Sequence, residues 1–488
     1  MILASLHEGW HGTWSYHAIL ALLILLQLGG CSLAPVYENP HFKVPQTLGG
    51  ANLTVDTRSD TTNVALSLEE QRFLGDFSPR FDLVPLVTQA LVHNPDFRIT
   101  VLQVQQARAY YQIEHSRQLP TLSANAQGVR QSYSAVDMQE RYGQKLATVG
   151  IGINDFELDF FGRMASLSIA AQQRYLATRY GQQAARGALI AELLRAYTLE
   201  RATFQAQAYY SAIMEDCAAL MAFASSQHGV GLISDDELSR QRRQADQAQV
   251  RAMQAISDHD AARRALQLIA GFEAPIGYGT LEELQPSDHN DWGLRDLEST
   301  VLLQRPDVQQ AEAELRARNA DIGAARAAFF PTIRLSTSFG GASDSLQGLF
   351  ESASRTWTFM PQLTMPIFDF GRNRANLDVA YLRKQAGIAD YEKAIESAFR
   401  EVADAIGVRP SLQQQDQREQ TNLGRERLRI ERMDKRVALG LQDRTALLVE
   451  RISVEQMELE YLQARQALLL NRIALFRAFY GVHLSHAS

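Results

Sequence analysis

Cysteine is almost absent: Cys31 and Cys217 are the only two in 488 residues. That excludes a disulfide-stapled scaffold and any metal site built on several cysteines. Long apolar runs are missing as well. Beyond the N-terminus nothing approaches the ~18 residues a spanning helix needs, so the mature chain is not a helical integral membrane protein. Positive charge is not in excess, since 48 Lys and Arg against 55 Asp and Glu leave a net charge of −7. A chain of that balance has no global pull toward nucleic acid or anionic lipid. The 11 histidines show no H-E-x-x-H spacing, and Gly150-Ile151-Gly152 lies in a strand pattern with no helix after it. Neither a metal, a cofactor nor a catalytic constellation is indicated. What is present is an ordinary folding composition, 46% hydrophobic and 21% charged, with the length of about three domains.

The one apolar block, Ala18 to Leu28, has the length of a signal-peptide h-region and is too short to span. No Lys or Arg precedes Lys43; His7, His11 and His17 occupy the n-region. The block runs into Leu28-Gly29-Gly30-Cys31, which resembles the bacterial lipobox. That implies a signal peptide over 1–30 and a diacylglyceryl-modified Cys31 as the mature N-terminus, since two acyl chains suffice for stable anchoring. The alternative is a plain secretory signal beside a chance cysteine. Ser32 is not the aspartate that retains lipoproteins at the inner membrane, so the expected address is the outer membrane. Residues 31–64, with Pro35, Pro40 and Pro45 among polar neighbours, read as a lipidated N-terminal tether.

The remainder repeats itself. Asn94-Pro95-Asp96 matches Arg305-Pro306-Asp307, and Leu119-Pro120-Thr121 matches Phe330-Pro331-Thr332, both at an offset of 211. Phe161-Gly162-Arg163 matches Phe370-Gly371-Arg372 and Gly231 matches Gly440, both at 209, while Gly271 matches Gly481 at 210. Landmarks so evenly displaced mark an internal duplication, not a solenoid. Repeat 1 covers 65–272, an inter-repeat linker 273–294, repeat 2 295–481, and a C-terminal tail 482–488.

Each repeat has the same grammar. In the first, helical spacing runs from Phe81 to Gln118, with Asp82 as N-cap and Pro120 as the stop. Two strand-like stretches fill 121–161; the second alternates Val149, Ile151, Ile153, then changes phase to Phe156, Leu158, Phe160. In the second repeat Ile333, Leu335, Thr337 and Phe339 alternate, and Trp357 to Phe368 follows a Gly/Ser-rich connection, placing strands over 332–368. Stretches of about ten residues, apolar on one face and small or polar on the other, have the form of transmembrane β-strands. The alternative is a surface sheet of a soluble domain.

Long helices follow over 162–272 and 371–480, turning at glycines with Ser234 and Asp443 as N-caps. Pro410, with Gly407, marks an expected kink or break. The last helix carries three apolar heptad positions. One holds Leu441, Leu448, Leu462, Leu469 and Phe476, interrupted by Glu455; a second holds Ile452, Leu459, Ile473 and Tyr480, interrupted by Gln466. The third holds Leu447, Val454, Tyr461, Leu468 and Leu475, with Arg451, Arg465 and Arg472 outside the stripe. So wide a stripe needs neighbours on both sides, as in a ring of near-parallel helices. Four strands cannot close a barrel, and open edges are forbidden in lipid. Chains crossing a membrane this way must pool strands: two would give eight without an open bore, three would give twelve and a channel.

From Cys31 to Gly481 these motifs, in their order and spacing, resemble the TolC-type outer membrane factors, and more closely the lipoprotein branch of tripartite efflux systems. The resemblance implies a mainly α fold with a small transmembrane β part, each repeat giving a strand pair and long antiparallel helices. It implies a homotrimer whose twelve-strand β-barrel continues into a twelve-helix α-barrel. The function implied is a passive exit duct, docked through a periplasmic adaptor (membrane fusion) protein to an inner-membrane pump of RND type. The family's tip motif is matched by Val230, Gly231 and Leu232 with Ser234, and more weakly by Leu439, Gly440 and Leu441; these are the expected adaptor-facing turns. The family's constriction positions fall on Thr445, Ala446 and Val449, with Glu450 one step on, so an acid common in the family is here a valine. Asp235, Asp236 and Glu237 are either another source of negative charge at the constriction or a capped, solvated first turn. Cys217, among Ala and Met, reads as a buried thiol and not a nucleophile. Arg240-Gln241-Arg242-Arg243 reads as interhelical or adaptor pairing. The competing function is a pore-free periplasmic scaffold lipoprotein with long helices, which accounts for Cys31 and the heptads but not for two strand pairs. An enzyme stands third.

Overall fold

The computed structural model describes residues 33–38, 65–271, 279–286, 299–345 and 348–482. The signal-peptide region, Cys31 and most of the tether lie outside the described residues. Residues 33–38 belong to a first unit, Met1–Arg58, and are irregular and exposed; the rest belong to a second, Ser59–Ser488.

That second unit is mainly helical. Its elements are α1 (Leu68–Phe77), α2 (Val84–His93), α3 (Pro95–Ser116), β1 (Leu122–Gln131), α4 (Val136–Tyr142), β2 (Gln144–Leu158), α5 (Arg163–Gly229) and α6 (Asp235–Ala270). After a linker come α7 (Pro306–Ala327), β3 (Thr332–Ser343), β4 (Arg355–Thr364), α8 (Arg372–Ala438) and α9 (Arg444–Ala478). α5 and α8 are both 67 residues long, or about 100 Å at 1.5 Å per residue. Helices of that length hold only by lateral packing. Within the chain one row of neighbours runs α3–α5–α7–α8 and the other α6–α5–α9–α8.

Four expectations are corrected. The helical run from Phe81 to Gln118 is two helices. Asn94 is extended, its side chain accepting the Phe97 N–H at 3.0 Å, and Pro95 opens α3 where its missing N–H costs nothing. Asp82 is not the N-cap; Leu83 holds that position, although Asp82 Oδ1 accepts the Val84 N–H at 2.9 Å. β4 stops at Thr364, short of Phe368. α8 passes through Pro410 without a break. Proline leaves the Ile406 carbonyl without its helical donor, but cross-helix bonds hold the adjoining turn. Asn471 Nδ2 donates to the Ala405 carbonyl at 2.8 Å, and Arg409 Nη1 donates to Asn471 Oδ1 at 3.1 Å.

The core gathers where α1, α2 and the linker cross the long helices, with Phe77, Leu86, Ile190, Leu194, Leu266, Leu281 and Leu469 among its members. Arg472, outside the apolar stripe, is nevertheless buried, and Arg465 is nearly so. The irregular linker presents carbonyls to the helices, and buried carbonyls need donors. Arg465 Nη2 reaches Leu284 O at 3.0 Å, Arg472 Nη1 reaches Gln285 O at 2.5 Å and Asp76 O at 3.1 Å, and Arg409 Nη2 reaches Pro286 O at 3.1 Å. The Arg472 guanidinium also lies over the rings of Phe73 and Phe77.

α1 is docked by one carboxylate. Glu70 forms a capping box with Ser67, accepts Arg186 Nε at 2.8 Å and Nη2 at 2.9 Å, and accepts the Tyr480 hydroxyl at 2.7 Å. Burial raises its pKa, but the bonds from Arg186, the Ser67 N–H and Tyr480 outweigh burial and hold it below the ordinary value. A depressed carboxylate stabilises at neutral pH and loses that contribution as pH falls through its folded pKa. Glu70→Ala should cost about 3 kcal/mol by stranding Arg186 and open Arg72 to trypsin; in the wild type the same site should open only on strong acidification. Equal protection of both forms at neutral pH would refute this docking role.

Candidate functional site

The strands form one antiparallel sheet in the order β1-β2-β3-β4, with two open edges. Register decides its faces. Ile151 stands opposite Ala124 and Phe339, and Phe339 opposite Trp357; Leu158 stands opposite Ile333, and Ile333 opposite Leu363. One face is therefore apolar across all four strands, while the other carries Ser123, Asn125, Thr148, Arg334, Ser336, Ser338 and Thr358. The phase change expected after Ile153 is a β-bulge between Ile153 and Phe156, where Asp155 takes φ +55°. The Asp155 N–H donates to Ser336 Oγ at 3.1 Å, and its carboxylate meets Arg334 at 3.1 Å. The apolar face is uncovered: Trp357 is 74% exposed, Phe339 66% and Leu363 64%. A patch of that kind requires an apolar partner. Among the described residues no helix is long and apolar enough to cross a membrane.

Where sheet meets helix, Gly162 and Gly371 are left-handed and open α5 and α8. An aspartate upstream supplies each missing cap: Asp159 Oδ2 accepts the Ala165 N–H at 2.8 Å, and Asp369 Oδ2 the Asn373 N–H at 2.9 Å. Aromatic pairs ring this junction, Phe161 on Phe330 with centroids 4.7 Å apart and Phe368 on Phe370 at 4.5 Å. Sequence reasoning named the aromatics but missed Asp159 and Asp369 as caps, because neither stands in the N-cap position.

The far ends of the long helices turn identically. The Gly231 N–H donates to His228 O at 2.9 Å and the Leu232 N–H to Gln227 O at 2.9 Å; Gly440 and Leu441 do the same to Val437 and Arg436, at 3.0 and 2.8 Å. This is the Schellman arrangement, and it needs a left-handed residue, supplied by Gly231 at φ +72° and Gly440 at φ +69°. Ser234 Oγ and Asp443 Oδ2 then cap the next helices through the Glu237 and Ala446 N–H groups, both at 3.3 Å. Val230, Leu232, Leu439 and Leu441 are all exposed. Both turns lie at the same end, since Arg444 of α9 sits over the Phe223 ring of α5 at 5.9 Å.

The candidate constriction residues are less uniform. Asp235 and Asp236 are exposed in the first turn of α6, with Asp235 Oδ1 2.7 Å from His228 Nε2. Thr445 donates its hydroxyl to the capping carboxylate of Asp443, which holds that carboxyl below its ordinary range. Val449 is exposed, and Glu450 is bound by Arg429, which also holds Glu426. Arg240 pairs with Glu237 on its own helix. Cys217 is buried, and burial pushes its thiol pKa up.

A two-faced sheet with an uncovered apolar side, continued by helices of about 100 Å, defines a membrane channel component. The family described as outer membrane efflux protein matches residues 86–272 and 297–479. The chain is 36% identical over 475 residues to outer membrane protein OprJ of Pseudomonas aeruginosa, covering 93% of this chain and 91% of OprJ. It is 32% identical to cation efflux system protein CusC of Escherichia coli, over 95% of this chain and 99% of CusC. The solved open state of the MtrE outer membrane channel of Neisseria gonorrhoeae matches with a TM-score of 0.70 at 32% identity, covering 92% of this chain and 98% of that one. The chain belongs to the outer membrane efflux protein family, and its function is that of an exit duct. The pore-free scaffold is set aside.

At Gly231 and Gly440 an added methyl meets only open space, so substitution costs backbone strain alone. Gly231→Ala should cost about 1–2 kcal/mol, and the Gly231→Val/Gly440→Val pair more, seen as a lower midpoint in helical circular dichroism. An unchanged midpoint for the double variant would show that the turns do not need the left-handed backbone.

Proposed function

We propose that three copies of this chain pool their strands into a twelve-strand barrel in the outer membrane, continued by a twelve-helix barrel into the periplasm. The observation that carries this is the four-stranded sheet with two open edges and a continuous, uncovered apolar face. The near-equal lengths of α3 and α7 (22 residues each), α5 and α8 (67 each) and α6 and α9 (36 and 35) support an origin by duplication, which supplies the missing register. Ile153 faces Leu122 on one side and Thr337 on the other, and Leu363 faces Ile333. Carrying 333 back to 122 and 337 back to 126 sets Leu363 of one chain opposite Ala126 of the next. Leu363, Pro361 and Phe359 of β4 then fall opposite Ala126, Gly128 and Arg130, on the corresponding face of the neighbour's β1.

The domain boundaries read from the sequence, 65–272 and 295–481, go with this reading. So does a lipid anchor at Cys31. The exposed Val230, Leu232, Leu439 and Leu441 on rigid turns suit a periplasmic adaptor bridging to an inner-membrane pump of RND type. The periplasmic constriction is assigned to Asp235, Asp236, Thr445, Val449 and Glu450 at that same end.

Cysteines at 126 and 363 should cross-link chains into dimer and trimer bands under oxidation, while 126 with 362 should cross-link several-fold less, because one step in a strand reverses the face. Single-channel conductance in planar bilayers tests the duct itself, and a monomer without conductance would end this reading. Cys31→Ala should lose palmitate label; retained label would refute the anchor.

A further inference from the structure

Glu455 is the one acid in a heptad position otherwise held by Leu441, Leu448, Leu462, Leu469 and Phe476. It lies where α9 packs on α5. Its neighbours Ile452 and Leu459 meet Ile213 and Cys217 of α5 in one apolar cluster. Asp216 of α5, which lies beside that cluster, is itself buried. The charges that reach the two acids are Glu215 on α5, Arg427 on α8, and Arg451 and Glu458 on α9. Arg427 is already taken by Glu458, through Nε to Oε1 at 2.5 Å and Nη2 to Oε2 at 2.7 Å. Arg451 alone is left. Its Nε stands 3.1 Å from Asp216 Oδ2, yet that oxygen is buried without a hydrogen bond of good geometry. Glu455 makes no hydrogen bond or ion pair among the described residues.

We propose that Asp216, paired with Arg451, and Glu455, which has no pair of its own, form a proton-operated latch across the contact of α5 with α9, between the α5–α6 and α8–α9 hairpins. The latch rests on the reading of these hairpins as the periplasmic end of the duct. Toward the turns the contact continues through Leu220 and Leu448 to Arg444 over Phe223, so parting α9 from α5 loosens that whole end.

The sign follows from burial. Burial pushes both carboxyls above their ordinary range while the helices are packed, and parting the helices returns them to it. The packed state therefore binds more protons than the parted one. Falling pH tightens the latch; rising pH leaves Glu455 charged with no pair of its own and loosens it.

The test uses the full-length trimer. Wild type in planar bilayers should conduct about threefold less, or lower still, at about pH 5.5 than at about pH 8. Glu455→Gln should show the low value at both. Glu455→Leu, which completes the apolar heptad and so carries little folding risk, should behave like Glu455→Gln. As a second readout, Glu455→Gln should raise the heat-dissociation midpoint of the trimer at about pH 8 by several degrees, the gap closing near pH 5.5. A wild-type pH profile in both variants, or a stability gap that does not change with pH, overturns the latch. Should no form conduct at any pH, the duct reading fails, and the stability comparison still decides the latch.

Discussion

A peptide group in hydrocarbon has no water to bond, and this one constraint organises the molecule. Four strands with two free edges cannot satisfy it alone. The alternating faces, the bulge at Asp155 and the aromatic pairs at the junction all make sense once the edges are closed by further copies. In the proposed assembly the chain is a third of a ring, and its helices obey the same logic. Each row of four has an outer helix whose far side packs against no other long helix among the described residues.

Inside the ring segment a second accounting applies. The linker crosses the long helices in an irregular path, so it cannot satisfy its own carbonyls. Arg409, Arg465 and Arg472 do that from α8 and α9, turning three charged side chains into a buried frame for Leu281 and Leu284. The same bonds tie the two halves of the chain at one level, leaving the hairpins below held mainly by side-chain packing.

Local signals made much of this legible in sequence. Gly231 and Gly440 announce their turns because only a left-handed residue closes a Schellman cap, and the strand phase change announces the bulge because alternation has a period of two. What escaped depends on partners far away in the chain. Arginines in a helix read as solvated until the linker's path is known. Arg305, the counterpart of the capping Asn94, instead binds Asp307, Glu401 and the Ala478 carbonyl. Pro410 reads as a break because the cross-helix bonds beside it come from Asn471. The break at Asn94 was written in Asn-Pro itself and was overridden by the apolar spacing on either side.

The two shorter helices show how neighbours, not position in the repeat, set composition. α6 and α9 occupy equivalent places, yet α6 buries Ala248, Ala252, Ala255 and Ala262, whereas α9 buries leucines, isoleucines and Tyr461. α9 lies between α5 and α8 and must fill space on two sides. Among the long helices α6 meets α5 alone, approaches it closely through alanines, and leaves Val250, Met253 and Ile256 exposed. An exposed apolar side on an edge helix is costly in water and useful only against another chain. In the proposed assembly, this difference between α6 and α9 marks the side on which a neighbouring chain would pack.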